Sequence, residues 1–158
     1  MTESQVRVIP LGGLGEIGRN MMAVECGDDI VVIDAGVMFP EEGMPGIDFV
    51  IPDITYLARN RDRVRAVLIT HGHEDHTGAL PYVLPDLDAP VYASRLTAAL
   101  ITVKLREHGL LKSSNLNVIE PSSPFKVGRL EVEFFRMCHS IPDAMGIAIR
   151  TPLGVIVH

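Results

Sequence analysis

The chain has 158 residues with no Trp, 47% hydrophobic residues and a formal net charge of -6. That length fits one domain with a real core, and no apolar run approaches the roughly 20 residues a membrane span needs. The acidic balance argues against broad, nonspecific nucleic-acid binding by this segment alone.

The opening Met-Thr-Glu-Ser-Gln lacks the basic start and apolar stretch of a signal peptide, so a cytoplasmic protein is expected. Val6 to Ile9 reads as a short strand, followed by the glycine-dense Leu11-Gly-Gly-Leu-Gly-Glu-Ile-Gly18. Met21 to Cys26 and Ile30 to Asp34 flank Gly27-Asp28-Asp29 and predict a hairpin. Val37 to Pro52 is broken by Pro40, Gly43, Pro45 and Gly46 and reads as a long loop, a place where function often sits. Ile54 to Asn60 suits a short helix. Val64 to Thr70 reads as a strand buried on both faces at its apolar end. A short helix is expected over Ala79 to Leu84, then a strand over Val91 to Ala93. Ser94 is the expected N-cap of a helix reaching His108, with Gly109 as its stop. Strands dominate from Asn117 onward: Val118-Ile119, Phe125 to Val127, Leu130 to Arg136, Ile147 to Arg150 and Val155 to Val157. Cys26 and Cys138 lack metal-binding spacing and are expected to be buried and reduced.

The dense chemical signal is His71-Gly-His-Glu-Asp-His-Thr-Gly78. On an extended backbone His71 and His73 share a side and suit one metal ion. Asp75 and His76 lie where the chain turns into a helix and suit a second. Gly72 and Gly78 are expected to permit unusual backbone angles in a tight loop. Imidazole and carboxylate favour zinc or manganese over a soft thiolate site. A polar loop in which Asp75 merely caps a helix is the plain alternative, but it does not explain three histidines at this spacing.

Gly13-x-Gly15-x-x-Gly18 after a strand, with Asp34 further on, imitates a dinucleotide-binding fingerprint. That reading requires a helix after the third glycine, where Asn20 to Cys26 reads as a strand. It also leaves the histidine cluster unused.

His-x-His-x-Asp-His after a strand resembles the signature of the metallo-β-lactamase superfamily, an α/β fold built as a four-layer αβ/βα sandwich. The resemblance implies that His71, His73 and a downstream His139 bind one cation while Asp75 and His76 bind the other. Asp34, ending an early strand, resembles a supporting carboxylate that orients ligands. Several further segments resemble the ribonuclease J family of β-CASP nucleases. They are Leu11-Gly-Gly-Leu-Gly-Glu-Ile-Gly-Arg-Asn20, Ile33-Asp-Ala-Gly36, Phe39-Pro-Glu41, Gly46-Ile-Asp48, Val50-Ile-Pro-Asp53 and His139-Ser-Ile-Pro-Asp143.

That resemblance implies a metal-dependent ribonuclease, cutting RNA endonucleolytically and from the 5′ end. Two divalent cations, zinc foremost and manganese next, would activate a hydroxide, with Asp75 and His76 as catalytic residues. It further implies RNA as partner, a homo-oligomer (dimer or tetramer), and a structural calcium near Gly46 and Asp48. Residues 1–158 would form the first part of the metallo-β-lactamase domain. The bridging aspartate, a final histidine ligand and the β-CASP and C-terminal domains are expected beyond His158, with 1–158 alone inactive. Two rivals stand beside this: a small-molecule hydrolase of the same superfamily (thioesterase or lactonase type), and a non-catalytic metal-binding module.

Overall fold

The computed structural model describes residues 5–158. Residues 1–4, part of the opening read as lacking a signal-peptide pattern, lie outside the described residues.

The chain alternates strand and helix first and then turns to strands. Strands β1 (Val6–Gly12), β2 (Met21–Cys26) and β3 (Asp29–Ile33) form an antiparallel meander. Helix α1 (Thr55–Arg59) and a 3-10 turn lead to β4 (Val64–Leu68), which lies parallel to β3. Helices α2 (Glu74–Thr77) and α3 (Leu80–Leu87) precede β5 (Val91–Ala93), and α4 (Arg95–Glu107) precedes β6 (Leu116–Val118). The first six strands form one sheet in sequence order, with β4, β5 and β6 added in parallel. A second sheet is wholly antiparallel: β7 (Phe125–Val127), β8 (Leu130–Arg136), β9 (Met145–Thr151) and β10 (Gly154–Val157).

Alternation along β3 explains how the layers stack. Ile30 and Val32 face the helices and pack with Leu57, Leu80, Val83, Ile101 and Leu105. Val31 and Ile33 face the second sheet and pack with Val132, Phe134, Ile147 and Ile149. All five residues of β3 are buried, which is why the strand reads as a continuous apolar run. The order is helices, six-stranded sheet, four-stranded sheet. Three of the four expected layers are present, and the described residues form no helical layer on the outer face of the second sheet.

The elements fall close to expectation, with four corrections. Strand β6 covers Leu116–Val118 in place of the expected Val118-Ile119, and it pairs with β5 to complete the first sheet. Ser94 precedes α4 but makes no side-chain capping bond, and its hydroxyl donates to Thr97 Oγ1 at 3.0 Å instead. Of the two free cysteines, Cys26 is buried and Cys138 is exposed. Gly72 and Gly78 have no left-handed backbone. Room is what Gly78 provides, since a Cβ there would meet the Glu74 carbonyl at 2.6 Å, whereas one at Gly72 would meet only the movable tip of Leu100 at 2.5 Å. The glycine stretch 12–18 is followed by β2 and not by a helix, which removes the dinucleotide reading. No described helix is long and apolar enough to cross a membrane.

Candidate metal centre

The buried strand β4 delivers the chain to Thr70 and His71 at the edge between the two sheets. A tight network around Asp34 anchors the histidine motif there. Asp34, immediately after β3, adopts a left-handed backbone at φ 59° and is 1% exposed. Such a conformation is costly for a non-glycine residue and persists only where surroundings impose it. Here the Asp34 N–H donates to the Leu68 carbonyl at 2.9 Å. The Asp34 carboxylate accepts the Thr70 N–H at 2.8 Å and the Thr70 hydroxyl at 2.8–3.0 Å. Its Oδ2 also lies 2.7 Å from His76 Nδ1.

These bonds decide the tautomers. A carboxylate accepts, so His76 Nδ1 carries the proton and Nε2 presents a lone pair. Burial works to lower the His76 pKa, but the hydrogen bond and charge of Asp34, with the charge of Asp75, raise it overall. For His71, Nδ1 lies 3.0 Å from the Thr70 hydroxyl, whose own proton goes to Asp34. That leaves His71 Nε2 as its free lone pair. Burial, reinforced by the neighbouring imidazole of His76, pushes the His71 pKa down to about 4. His71 is therefore neutral, the form that ligates a cation.

His71, His73 and His139 converge: one ring nitrogen from each lies within 4.8 Å of the others. His139 arrives from the loop after β8, and its ring meets that of His71 edge-on with centroids 4.5 Å apart. His71 Nε2 and His73 Nδ1 are 3.1 Å apart. Two nitrogens bound tetrahedrally at zinc distances would be about 3.3 Å apart. The donor set fits a divalent cation held by three imidazoles.

Asp75 and His76 form a second pair beside it. Asp75 Oδ2 lies 3.4 Å from His76 Nε2, and the His71 and His76 rings are 4.0 Å apart by centroid. The motif backbone is pinned to the first sheet's loops. Asn20 N–H donates to the Asp75 carbonyl at 3.0 Å, and Ala35 N–H to the His76 carbonyl at 2.8 Å. Gly36 is required there, because a Cβ would fall 1.6 Å from the Asp75 carbonyl oxygen.

Six residues singled out from the sequence therefore meet in one place: Asp34, His71, His73, Asp75, His76 and His139. Gly46 and Asp48 do not join them. They are exposed in the loop that the Met38–Val50 bridge closes, and no His, Cys, Asp or Glu cluster of three forms around them among the described residues. Sequence reasoning missed Thr70 as the relay between Asp34 and His71. It also missed Asn20, whose side chain touches Asp75 and His76. Neither role carries a spacing signal, since both depend on contacts made only in the fold.

This constellation on this arrangement of sheets defines a class. A sequence model described as the metallo-beta-lactamase superfamily matches residues 14–141, and the chain belongs to that superfamily. Among solved structures, the metallo-beta-lactamase fold protein YhfI from Bacillus subtilis superposes with a TM-score of 0.66 at 13% identity. It covers 98% of this chain and 61% of that one, which shows the shared fold. Closer in sequence is Ribonuclease J of Thermus thermophilus, 48% identical over 99% of this chain. Ribonuclease J 1 of Streptococcus pyogenes is 46% identical over 98%. The chain spans about 28% of the length of these relatives.

Proposed function

We propose that this chain carries the metal-binding part of a metal-dependent ribonuclease that hydrolyses RNA phosphodiesters, acting from the 5′ end and internally. The observation that carries the reading is the convergence of His71, His73 and His139 on one point. It occurs in a chain whose similarity to Ribonuclease J extends over 99% of its length. Charge alone argues the other way, because the chain carries a net -6. Bound cations would reverse that sign locally where the phosphate must sit.

In this reading His71, His73 and His139 hold one divalent cation, zinc foremost, and Asp75 with His76 holds a second. When bound, the cation pair lowers the pKa of water and stabilises charge developing on phosphate oxygens. The protein's own groups do the rest. Thr70 and Asp34 fix the protons on the far nitrogens of His71 and His76, so both lone pairs face the site. Asp75, whose side chain is 40% exposed beside the more buried His76, is placed to orient the attacking water. A structural calcium held near Gly46 and Asp48 is a further part of the same reading.

The test is an assay of the intact protein on 5′-monophosphorylated RNA beside a thioester, with and without EDTA. Cleavage of RNA alone, abolished by EDTA and restored by zinc or manganese, is expected. Turnover of the thioester without RNA cleavage would mark a small-molecule hydrolase, and metal binding without either activity a non-catalytic module.

A further inference from the structure

Asn20 stands at the end of the glycine-rich segment between β1 and β2, outside every ligand motif. Its backbone is held at both ends, with N–H to the Asp75 carbonyl at 3.0 Å and its own carbonyl accepting the Gly36 N–H at 3.0 Å. Gly13 walls the side chain in, since a Cβ there would lie 2.6 Å from Asn20 Oδ1. The amide nitrogen is thereby directed at three acceptors. It lies 3.0 Å from the Asp75 carbonyl, 3.1 Å from Asp75 Oδ2 and 3.2 Å from His76 Nε2.

The last two atoms are the ones the second cation would need, and they are 3.4 Å apart. Donor atoms sharing one cation at zinc distances are separated by about 3.3 Å. Three acceptors compete for two amide hydrogens, and the Asp75 backbone carbonyl is satisfied whether or not a cation is present. One hydrogen therefore anchors the amide while the other is free to serve the Asp75–His76 pair.

Resting on the two-cation reading above, we propose that Asn20 is a positioning residue for the second cation. Its amide keeps Asp75 Oδ2 and His76 Nε2 at cation-binding separation while the site is empty, and it continues to orient the Asp75 carboxylate once the cation arrives. Without it two acceptors facing each other have no shared donor and the exposed Asp75 side chain swings to solvent. Losing such an orienting partner costs metal affinity by about 10–100-fold.

The experiment is an equilibrium titration of the metal-free intact protein with Zn²⁺ against a chromophoric chelator, comparing wild type, N20A and N20D. Wild type is expected to bind two ions. N20A is expected to keep the affinity of the first ion, held by the three histidines, and to lose about 10–100-fold for the second. N20D keeps the side-chain volume but replaces the donor by a carboxylate facing the Asp75 carbonyl. It is expected to fail in the same way, and it carries the test should N20A not fold. Unchanged affinity for the second ion in N20A overturns the proposal. So does a second ion bound as tightly or more tightly by N20D, which would make Asn20 an oxygen ligand. A single ion in wild type overturns the two-cation reading itself, and that outcome is distinct from either.

Discussion

His76 Nδ1 lies 2.7 Å from the Oδ2 of Asp34, a residue forty-two positions earlier in the chain. Asp34 is 1% exposed and also accepts two bonds from Thr70, so a single buried carboxylate sets the orientation of imidazoles at 71 and 76. Replacing it with Asn keeps the shape but aims an amide N–H at one of those donors. D34N should lose about 10–100-fold in zinc affinity. It should also lose about 1–3 kcal/mol of stability, the cost of a buried group left without its partner. Zinc titration and thermal melting of the same preparation check both.

The three-histidine cluster gives the sharpest functional prediction. H73A and H139A each remove one of three donors, so each should abolish metal-dependent RNA cleavage by the intact protein while leaving the fold, read by circular dichroism, in place. The substitution H108A is the matched control. His108 caps the C-terminal end of α4, where its ring packs against Tyr82 at 5.5 Å between centroids. Activity should be unchanged in that variant.

Gly36 tests the docking of the metal motif onto the first sheet. A methyl group at this position would overlap the Asp75 carbonyl oxygen at 1.6 Å, and backbone cannot yield as a side-chain tip does. G36A should cost about 3 kcal/mol and disturb the cation sites together. G43A, where a Cβ meets nothing within 4 Å, should shift stability by less than about 0.5 kcal/mol. Urea unfolding midpoints distinguish the two.

Stability at low pH should depend on Glu25, remote from the metal centre. Burial alone would raise its pKa. Hydrogen bonds from Tyr56, Arg7 and Arg63 outweigh that and lower it from 4.5 to about 2. A carboxylate depressed in the folded state contributes stability that is fully present above its unfolded pKa. That contribution is lost as pH falls through the folded pKa, here between about 4.5 and about 2. E25Q should cost about 1–3 kcal/mol near neutrality, because the buried side chain at position 25 loses the charge that Arg7 and Arg63 pair with and one acceptor oxygen. The variant should also show a shallower loss between pH 4.5 and 2. Chemical unfolding at pH 7, 4 and 3 checks the sign.

Much of this site was legible because its ligands sit in one short run. Four donor-type side chains between residues 71 and 76 need only a strand end and a turn to converge, and local pattern supplies both. The Gly27-Asp28-Asp29 turn between two apolar runs likewise announced the hairpin of β2 and β3. His139 was legible only through the family resemblance, since no local pattern says that the loop after β8 folds back over β4. Thr70 and Asn20 were illegible for the same reason: a threonine before a histidine motif and an asparagine after a glycine stretch are ordinary until the fold joins them. The glycines at 72 and 78 were expected to permit unusual backbone angles, and neither has one. At Gly78 a Cβ would crowd both the Glu74 carbonyl and Val37, and the second of these neighbours is supplied only by the fold.

The most direct test of the three-histidine centre is anomalous diffraction at the zinc edge from crystals of the intact protein grown with zinc. A peak is expected within about 2.0–2.1 Å of His71 Nε2, His73 Nδ1 and a ring nitrogen of His139. Zinc bound elsewhere, with the His139 ring turned away from the other two, would contradict it.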